Sequence, residues 1–209
     1  MNSKKDFDIP PKRLLTAFGS PWNTFLGYSM GNSSTSFVGI TARKKRQGVI
    51  WGKDPKHFEG RTDMLKVIAD SVELHSTATR SVFKHQNIKW EGHQTPSGWK
   101  QLLADSKFLI GLGDPLLGPS AIDAISVGCM YINPIYAAPV REIHKTQHDY
   151  AARSIGAPYV CNAVLSNITS VMECVDQALS LNLPPIIPPD FLHDNYMTRV
   201  RSIFLEGDS

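Results

Sequence analysis

The sequence predicts an α/β fold built on one doubly wound parallel sheet, because apolar strand candidates alternate with amphipathic helix candidates along the chain. Three observations carry the prediction. Lys107-Phe108-Leu109-Ile110-Gly111-Leu112 is nearly all apolar past its lysine, as a strand covered on both faces must be. A second such run, Cys129-Met130-Tyr131-Ile132, follows a segment that starts at Pro119 and stops at Gly128, the usual asymmetry of a helix. Helical spacing also recurs over 56–75, 97–105 and 168–179, between further strand candidates.

In chain order, Met1 to Arg13 is a polar, flexible leader with no apolar signal core. Phe18 to Tyr28 is aromatic and turn-rich, a strand end with its loop, and Gly31 to Ser36 is a polar loop. Arg43-Lys44-Lys45-Arg46 precedes the strand Val49-Ile50-Trp51; a solvated loop is favoured over a nuclear signal or nucleic-acid patch. Phe58, Met64, Leu65, Ile68 and Val72 predict the helix over 56–75. Short strands follow at 77–83 and 88–90. Ser97 caps a helix to Asp105 with Trp99, Leu102 and Leu103 facing inward. Residues 138–151 read as irregular and polar, and Tyr159-Val160 as a last short strand. Val171, Met172, Val175, Ala178 and Leu179 share a face of the helix over 168–179. Pro184, Pro185, Pro188 and Pro189 make an extended linker before a final helix over 190–204, with Tyr196, Met197, Val200, Ile203 and Phe204 on one side.

The bulk numbers fit. With 209 residues, 42% hydrophobic and 20% charged, the chain suits one domain with a real core and not disorder. A net charge of +3 demands no nucleic-acid partner. Nothing approaches the roughly 18 apolar residues of a membrane span. Cys129, Cys161 and Cys174 are widely spaced with no CxxC pair, so zinc is disfavoured and buried free thiols are the favoured reading.

In doubly wound sheets, ligands sit at the carboxyl ends of the strands, which points to the loop after Leu112. Gly113 and Gly118 let a backbone approach a ligand closely, and the helix beginning near Pro119 turns free amides and a positive dipole end toward the loop. An anion is the favoured occupant, with a simple tight turn as the alternative. The dinucleotide fingerprint fails at Leu116, and the P-loop pattern fails at Pro119, where the phosphate-gripping lysine belongs. Asp123, one turn into the helix, either accepts from ribose hydroxyls or compensates the dipole.

Phe108 to Gly113, Gly118-Pro119, Ile122 to Ile125, Gly128-Cys129 and Asn133-Pro134 resemble the central motif of glycosyltransferase family 18, the α-1,6-mannosylglycoprotein 6-β-N-acetylglucosaminyltransferases. Ordered matches extend the resemblance over about 14–204. They include Ser20-Pro21, Asn23 to Tyr28, Asn32 to Ser34, Trp51-Gly52-Lys53, Glu73 to Thr77, Gln147-His148 with Tyr150-Ala151, Ile155-Gly156 with Pro158, and the tail near Phe191 and Arg199.

The resemblance implies a Rossmann-like nucleotide-sugar-binding domain at 14–183, similar to the C-terminal domain of a GT-B glycosyltransferase, with the linker and helix at 184–209. It implies UDP-N-acetylglucosamine as donor, inversion at the anomeric carbon, no metal or other cofactor, and a β-1,6-linked branch on the α-1,6-mannose arm of N-glycans. It implies a Golgi setting, although the chain shows neither signal nor anchor. Donor contacts are expected from Lys53, Gly113, Gly118, Pro119, Ser120, Asp123, Asn133, Gln147 and His148, the last as a protonated imidazole near the diphosphate. The general base belongs to the family's N-terminal half, which also meets the acceptor glycan, so no catalytic residue is assigned. The alternatives are an inactive homologue that binds UDP-sugar weakly and an unrelated domain with another phosphate ligand.

The sequence departs from the family at three places. Asp123 replaces a glutamate, and Leu117 replaces an acid beside the donor. A phosphate-facing lysine after Asn133-Pro134 has no secure match, with Arg141 or Lys145 as substitutes. Asn32 and Asn167 head acceptor sequons; Asn167 is also placed to cap a helix. His75 and His93 are read as structural or surface residues.

Overall fold

The structure, a computed structural model, describes residues 14–19, 23–32, 44–140 and 144–205. The chain divides into two compact units, residues 37–186 and residues 1–36 with 187–209. The sequence reading groups 14–36 with the sheet domain; the division instead groups them with the C-terminal helix.

The larger unit holds the sheet. Strands β3 (Gln47–Trp51), β4 (Glu73–Ser76), β5 (Ile88–Trp90), β6 (Phe108–Gly111), β7 (Met130–Val140) and β9 (Val160–Ala163) are mutually parallel. They lie in the order β5-β4-β3-β6-β7-β9. Counted along the chain this is 3-2-1-4-5-6, the doubly wound order of dinucleotide-binding sheets. Helices α1 (Thr62–Ser71) and α4 (Ile168–Ser180) cover one face. Leu65, Ile68, Val171 and Val175 pack there on Ile50, Leu74, Phe108, Ile110, Met130 and Ile132. Helices α2 (Pro96–Asp105) and α3 (Ser120–Ser126) cover the other. Val49, Leu109 and Tyr131, which alternate with the first set, are also buried, so the strands are apolar on both sides.

Several elements differ from the sequence reading. The predicted helix over 56–75 is broken by Gly60 at φ 67°, leaving a 3-10 turn, Pro55–Phe58, before α1. The strand lies at Glu73–Ser76 and not at 77–83, because its polar residues are satisfied where they are buried. His75 sits between Glu91 Oε1 at 2.6 Å and Glu73 Oε1 at 2.8 Å. Thr95, not Ser97, caps α2: its hydroxyl accepts from the Gly98 amide at 3.1 Å, with Pro96 in the first turn. Residues 138–151 are not irregular. The end of β7 pairs antiparallel with β8 (His144–Thr146), and a π-helical turn follows at Ala151–Ile155. Asn167 caps α4, accepting from the amides of Thr169 and Ser170. Cys161 and Cys174 form a disulfide between β9 and α4, which corrects the free-thiol reading; Cys129 is free and buried.

In the smaller unit, β1 (Leu15–Thr16) pairs parallel with β2 (Thr24–Phe25), and a 3-10 turn at Pro189–Phe191 leads into α5 (His193–Phe204). Phe18, Tyr28 and Phe191 stack edge-on or tilted, with ring centroids 4.7 to 6.1 Å apart. The Arg199 guanidinium lies 4.4 Å from the Phe25 ring, and its Nε donates to Leu26 O at 2.9 Å. The apolar side predicted for α5 is only half-buried, and Phe204 is 60% exposed. Asn32 is exposed; Ser20, Pro21, Ser33, Ser34, Arg43 and Arg141 lie outside the described residues.

Candidate functional site: the cleft at the switch between β3 and β6

The sheet order reverses between β3 and β6, and the chain leaves these neighbouring strands in opposite directions. A crevice opens there at their carboxyl ends. Two cavities occupy it. One, of about 290 Å³, is lined by Thr77, His93, Trp99 and Asp123. The other, of about 330 Å³, is lined by His57, Asp114, Gly118 and Pro119. Trp51, Lys53 and Ser120 line both.

The loop after β6 is fastened from beneath. The Gly113 amide donates to Gln147 Oε1 at 3.0 Å, and Gln147 Nε2 donates to Pro115 O at 3.0 Å. The Leu117 amide donates to Gln147 O at 3.0 Å, and Tyr136 Oη donates to Gly113 O. Gly113, at φ 101°, adopts a left-handed backbone that favours glycine. Leu117 adopts one too, at φ 51°, where a side chain is uncommon. Gly118 is fixed by space, since a Cβ there would overlap the Trp51 ring.

The expected donor residues fall into two groups. Lys53 is exposed at the end of β3 and forms no ion pair among the described residues. Ser120 opens α3, whose first intrahelical bonds run from the Ile122 and Asp123 amides to Pro119 O. Asp123 lines the first cavity. Its Oδ2 accepts from the Trp99 indole at 3.4 Å, and burial raises its pKa against the pull of Trp99 and Lys100. Gly113, Gly118 and Pro119 are in the loop itself.

Asn133, Gln147 and His148 are fully buried under that loop. Asn133 Nδ2 donates to Asn162 Oδ1 at 2.8 Å, and its Oδ1 accepts from the His148 amide at 3.0 Å. His148 Nδ1 accepts from the Ala151 amide at 3.1 Å. Burial pushes the His148 pKa down to about 4, outweighing its backbone hydrogen bonds, one of them at Gly118. Burial thus favours the neutral ring, whereas the family resemblance implies a protonated imidazole at this position.

Sequence reasoning missed Thr77, Trp99 and His57 as cleft residues, and read Trp51 and His93 without assigning them there. The spacing of Trp99 and Trp51 marks core equally well, and nothing local separates Thr77 from a strand threonine. Among the described residues, no cluster of three or more His, Cys, Asp or Glu is placed to hold a metal ion.

Residues 3–208 match Glycosyltransferase family 18. The chain belongs to that family. Among the relatives of this family 18 chain is the alpha-1,6-mannosylglycoprotein 6-beta-N-acetylglucosaminyltransferase A of Cricetulus griseus. The two are 27% identical over 97% of this chain and 30% of the relative. The B enzyme of Mus musculus is 22% identical over 97% of this chain and 28% of its own length. The Caenorhabditis elegans enzyme is 24% identical over 85% of this chain and 29% of its own length. The chain thus spans about 30% of the length of the curated relatives it matches. Among solved structures, the UDP-GlcNAc 2-epimerase of Methanocaldococcus jannaschii superposes with a TM-score of 0.51 at 9% identity. That match covers 82% of this chain and 48% of the epimerase, and it supports the Rossmann-like fold.

The other two family departures can also be placed. Leu117 is half-buried in the fastened loop. Lys145, the described substitute for the phosphate-facing lysine, is exposed on β8 and lines neither cavity. No described helix of this family 18 chain is long and apolar enough to cross a membrane.

Proposed function

We propose that the chain is the donor-binding half of an inverting β-1,6-N-acetylglucosaminyltransferase that takes UDP-N-acetylglucosamine and extends the α-1,6-mannose arm of N-glycans. The observation that carries this reading is the cleft at the β3–β6 switch, lined by Lys53, Ser120 and Asp123, in a chain of family 18. The names of the relatives supply the transferred sugar and the acceptor.

In this reading the donor's diphosphate lies against Lys53 and the start of α3, where the ammonium and the free amides offset its charge without a metal. The glycines let the loop backbone approach the ligand. Asp123 accepts from the ribose hydroxyls. Asn133, Gln147 and His148 hold the loop in shape and do not touch the donor. The general base that deprotonates the acceptor comes from the enzyme's other half, as does the acceptor site. The Cys161–Cys174 disulfide supports an oxidising, Golgi-lumenal setting.

Titration calorimetry tests the reading. UDP and UDP-N-acetylglucosamine bind, with or without EDTA, and NAD does not; absence of UDP binding, or preference for NAD, sinks it. A second reading, an inactive homologue that keeps weak UDP-sugar affinity, is favoured by the aliphatic Leu117 in place of the family's acid. Transfer to a biantennary glycan separates the two. This chain alone is expected to be inactive. Turnover once it is joined to an upstream family-like half supports the first reading, and continued inactivity supports the second.

A further inference from the structure

The sequon Asn167-Ile168-Thr169 lines neither cavity of the cleft, and the fold presents it to solvent. Asn167 caps α4 just after the turn that leaves β9, and Ile168 and Thr169 open the helix. All three residues are exposed, and the middle position is not proline. The side-chain amide of Asn167 divides its two ends between different tasks. Its Oδ1 accepts from the Thr169 amide at 3.1 Å and the Ser170 amide at 3.3 Å, which makes the cap. Its Nδ2 donates to nothing among the described residues. The Thr169 hydroxyl, the group a sequon requires at its third position, is likewise unbonded among them.

An N-linked sugar attaches at Nδ2 and leaves the side-chain carbonyl an acceptor, so attachment and capping use different atoms. Ile168 is 38% exposed, an apolar side chain that a sugar on its neighbour can shield. The compartment fits as well. Cys161 and Cys174 are bridged, and the sequon lies within the loop they close. Such bridges persist in oxidising compartments, including the lumen in which sequons are modified, and are rare in the cytosol. Asn32 heads the other sequon, whose Ser33 and Ser34 lie outside the described residues.

We propose that Asn167 carries an N-linked glycan and that α4 keeps its cap beneath it. The sugar donor is a lipid-diphosphate-linked oligosaccharide. Nδ2 bonds to the anomeric carbon as that carbon's bond to the diphosphate oxygen breaks. The lipid diphosphate leaves, and one Nδ2 proton passes to a base of the modifying transferase. The proposal rests on the lumenal setting of the proposed function and not on the donor site.

Production of the full chain in a eukaryotic cell behind a cleavable secretion signal tests it. Peptide N-glycosidase in heavy-oxygen water converts a glycosylated asparagine to a labelled aspartate, which mass spectrometry of the peptide reads. Label is expected at Asn167 in wild type and Thr169→Ser, and none in Thr169→Ala. An unlabelled Asn167 in disulfide-bonded wild type overturns the proposal, as does equal label in Thr169→Ala. Thermal melts test the cap. Thr169→Ala removes the sequon but keeps Oδ1 and both amides, so it should melt within about 2 °C of the glycosylated wild type. Asn167→Ala also loses the cap and should melt about 2–4 °C lower. A glycosylated wild type that melts as low as Asn167→Ala has lost its cap and overturns the proposal. Calorimetry with UDP on the same protein keeps the two readings apart. UDP binding with an unmodified Asn167 overturns the glycan alone, and a glycosylated Asn167 without UDP binding supports the glycan and removes the donor reading.

Discussion

The two sides of the 113–119 loop put their polar groups to different uses. Beneath it, Asn133, Gln147 and His148 are fully buried: Gln147 bonds to the loop backbone, Asn133 to Asn162 and the His148 amide, and His148 Nδ1 to the Ala151 amide. On its open side, Lys53, Ser120 and Asp123 line cavities. All but Ser120 come from segments that resemble the family, so resemblance alone does not tell support from contact. Burial and hydrogen-bond bookkeeping do. Substitution beneath the loop should cost stability first and binding as a consequence, whereas substitution on the open side should cost binding alone.

The sharpest way to break that contrast is Gln147→Leu. It strands the Gly113 amide and the Pro115 carbonyl, and unsatisfied buried groups together cost roughly 3 kcal/mol or more. Urea denaturation should show that loss. An unchanged midpoint would mean that the loop is held by something other than Gln147.

His148 gives the next effect, through pH. Its folded pKa of about 4 lies below the ordinary histidine value, so the folded state favours the neutral ring. Its stability contribution is intact above the unfolded pKa of roughly 6.5 and is lost as pH falls toward about 4, by at most roughly 3 kcal/mol. Melting curves between those limits should fall more steeply for wild type than for His148→Gln. Parallel slopes would show that His148 is not held neutral.

Gly118→Ala tests the seam between the two sides. Its Cβ meets the Trp51 ring, and overpacking of this kind costs about 1–3 kcal/mol. Trp51 lines both cavities, so UDP affinity should fall along with the melting temperature. A loss of stability with binding intact would take Trp51 out of the donor site.

Much of the fold was legible because apolar burial leaves a period in the sequence. The runs at 108–112 and 129–132, with Pro119 and Gly128 bounding the helix between them, led directly to parallel strands and to the loop after β6. What stayed hidden was burial of polar residues. Glu73–Ser76 does not read as a buried strand because one of the two carboxylates that satisfy His75 is Glu91, sixteen positions away along the chain. The β7–β8 hairpin runs past the sheet into exposed residues and loses its apolar signature. The Cys161–Cys174 bridge depends on β9 lying beside α4, which a separation of 13 residues does not reveal. At the site, the glycines and Asp123 were readable from strand, loop and helix order. Thr77 and Trp99 were not, because they reach the cleft from the β4 and α2 ends, and only the 3-2-1-4-5-6 order brings those ends next to β3 and β6.

The smallest stability effect and the cleanest binding effect should come from Asp123→Ala. Burial raises the folded pKa of Asp123, so its ionised form is disfavoured by folding at neutral pH, and removing it relieves that cost. The lost bond from Trp99 is long, at 3.4 Å, and the indole is only half-buried. The two changes nearly offset, leaving stability within about 0.5 kcal/mol of wild type. On the proposed function, UDP by contrast loses the carboxylate that would accept from its ribose, and affinity should drop roughly tenfold. Paired thermal melts and calorimetry read the two quantities separately. A fall in melting temperature with UDP affinity preserved would make Asp123 a helix-start carboxylate and move it to the supporting side of the loop, leaving Lys53 as the charged group that faces the donor.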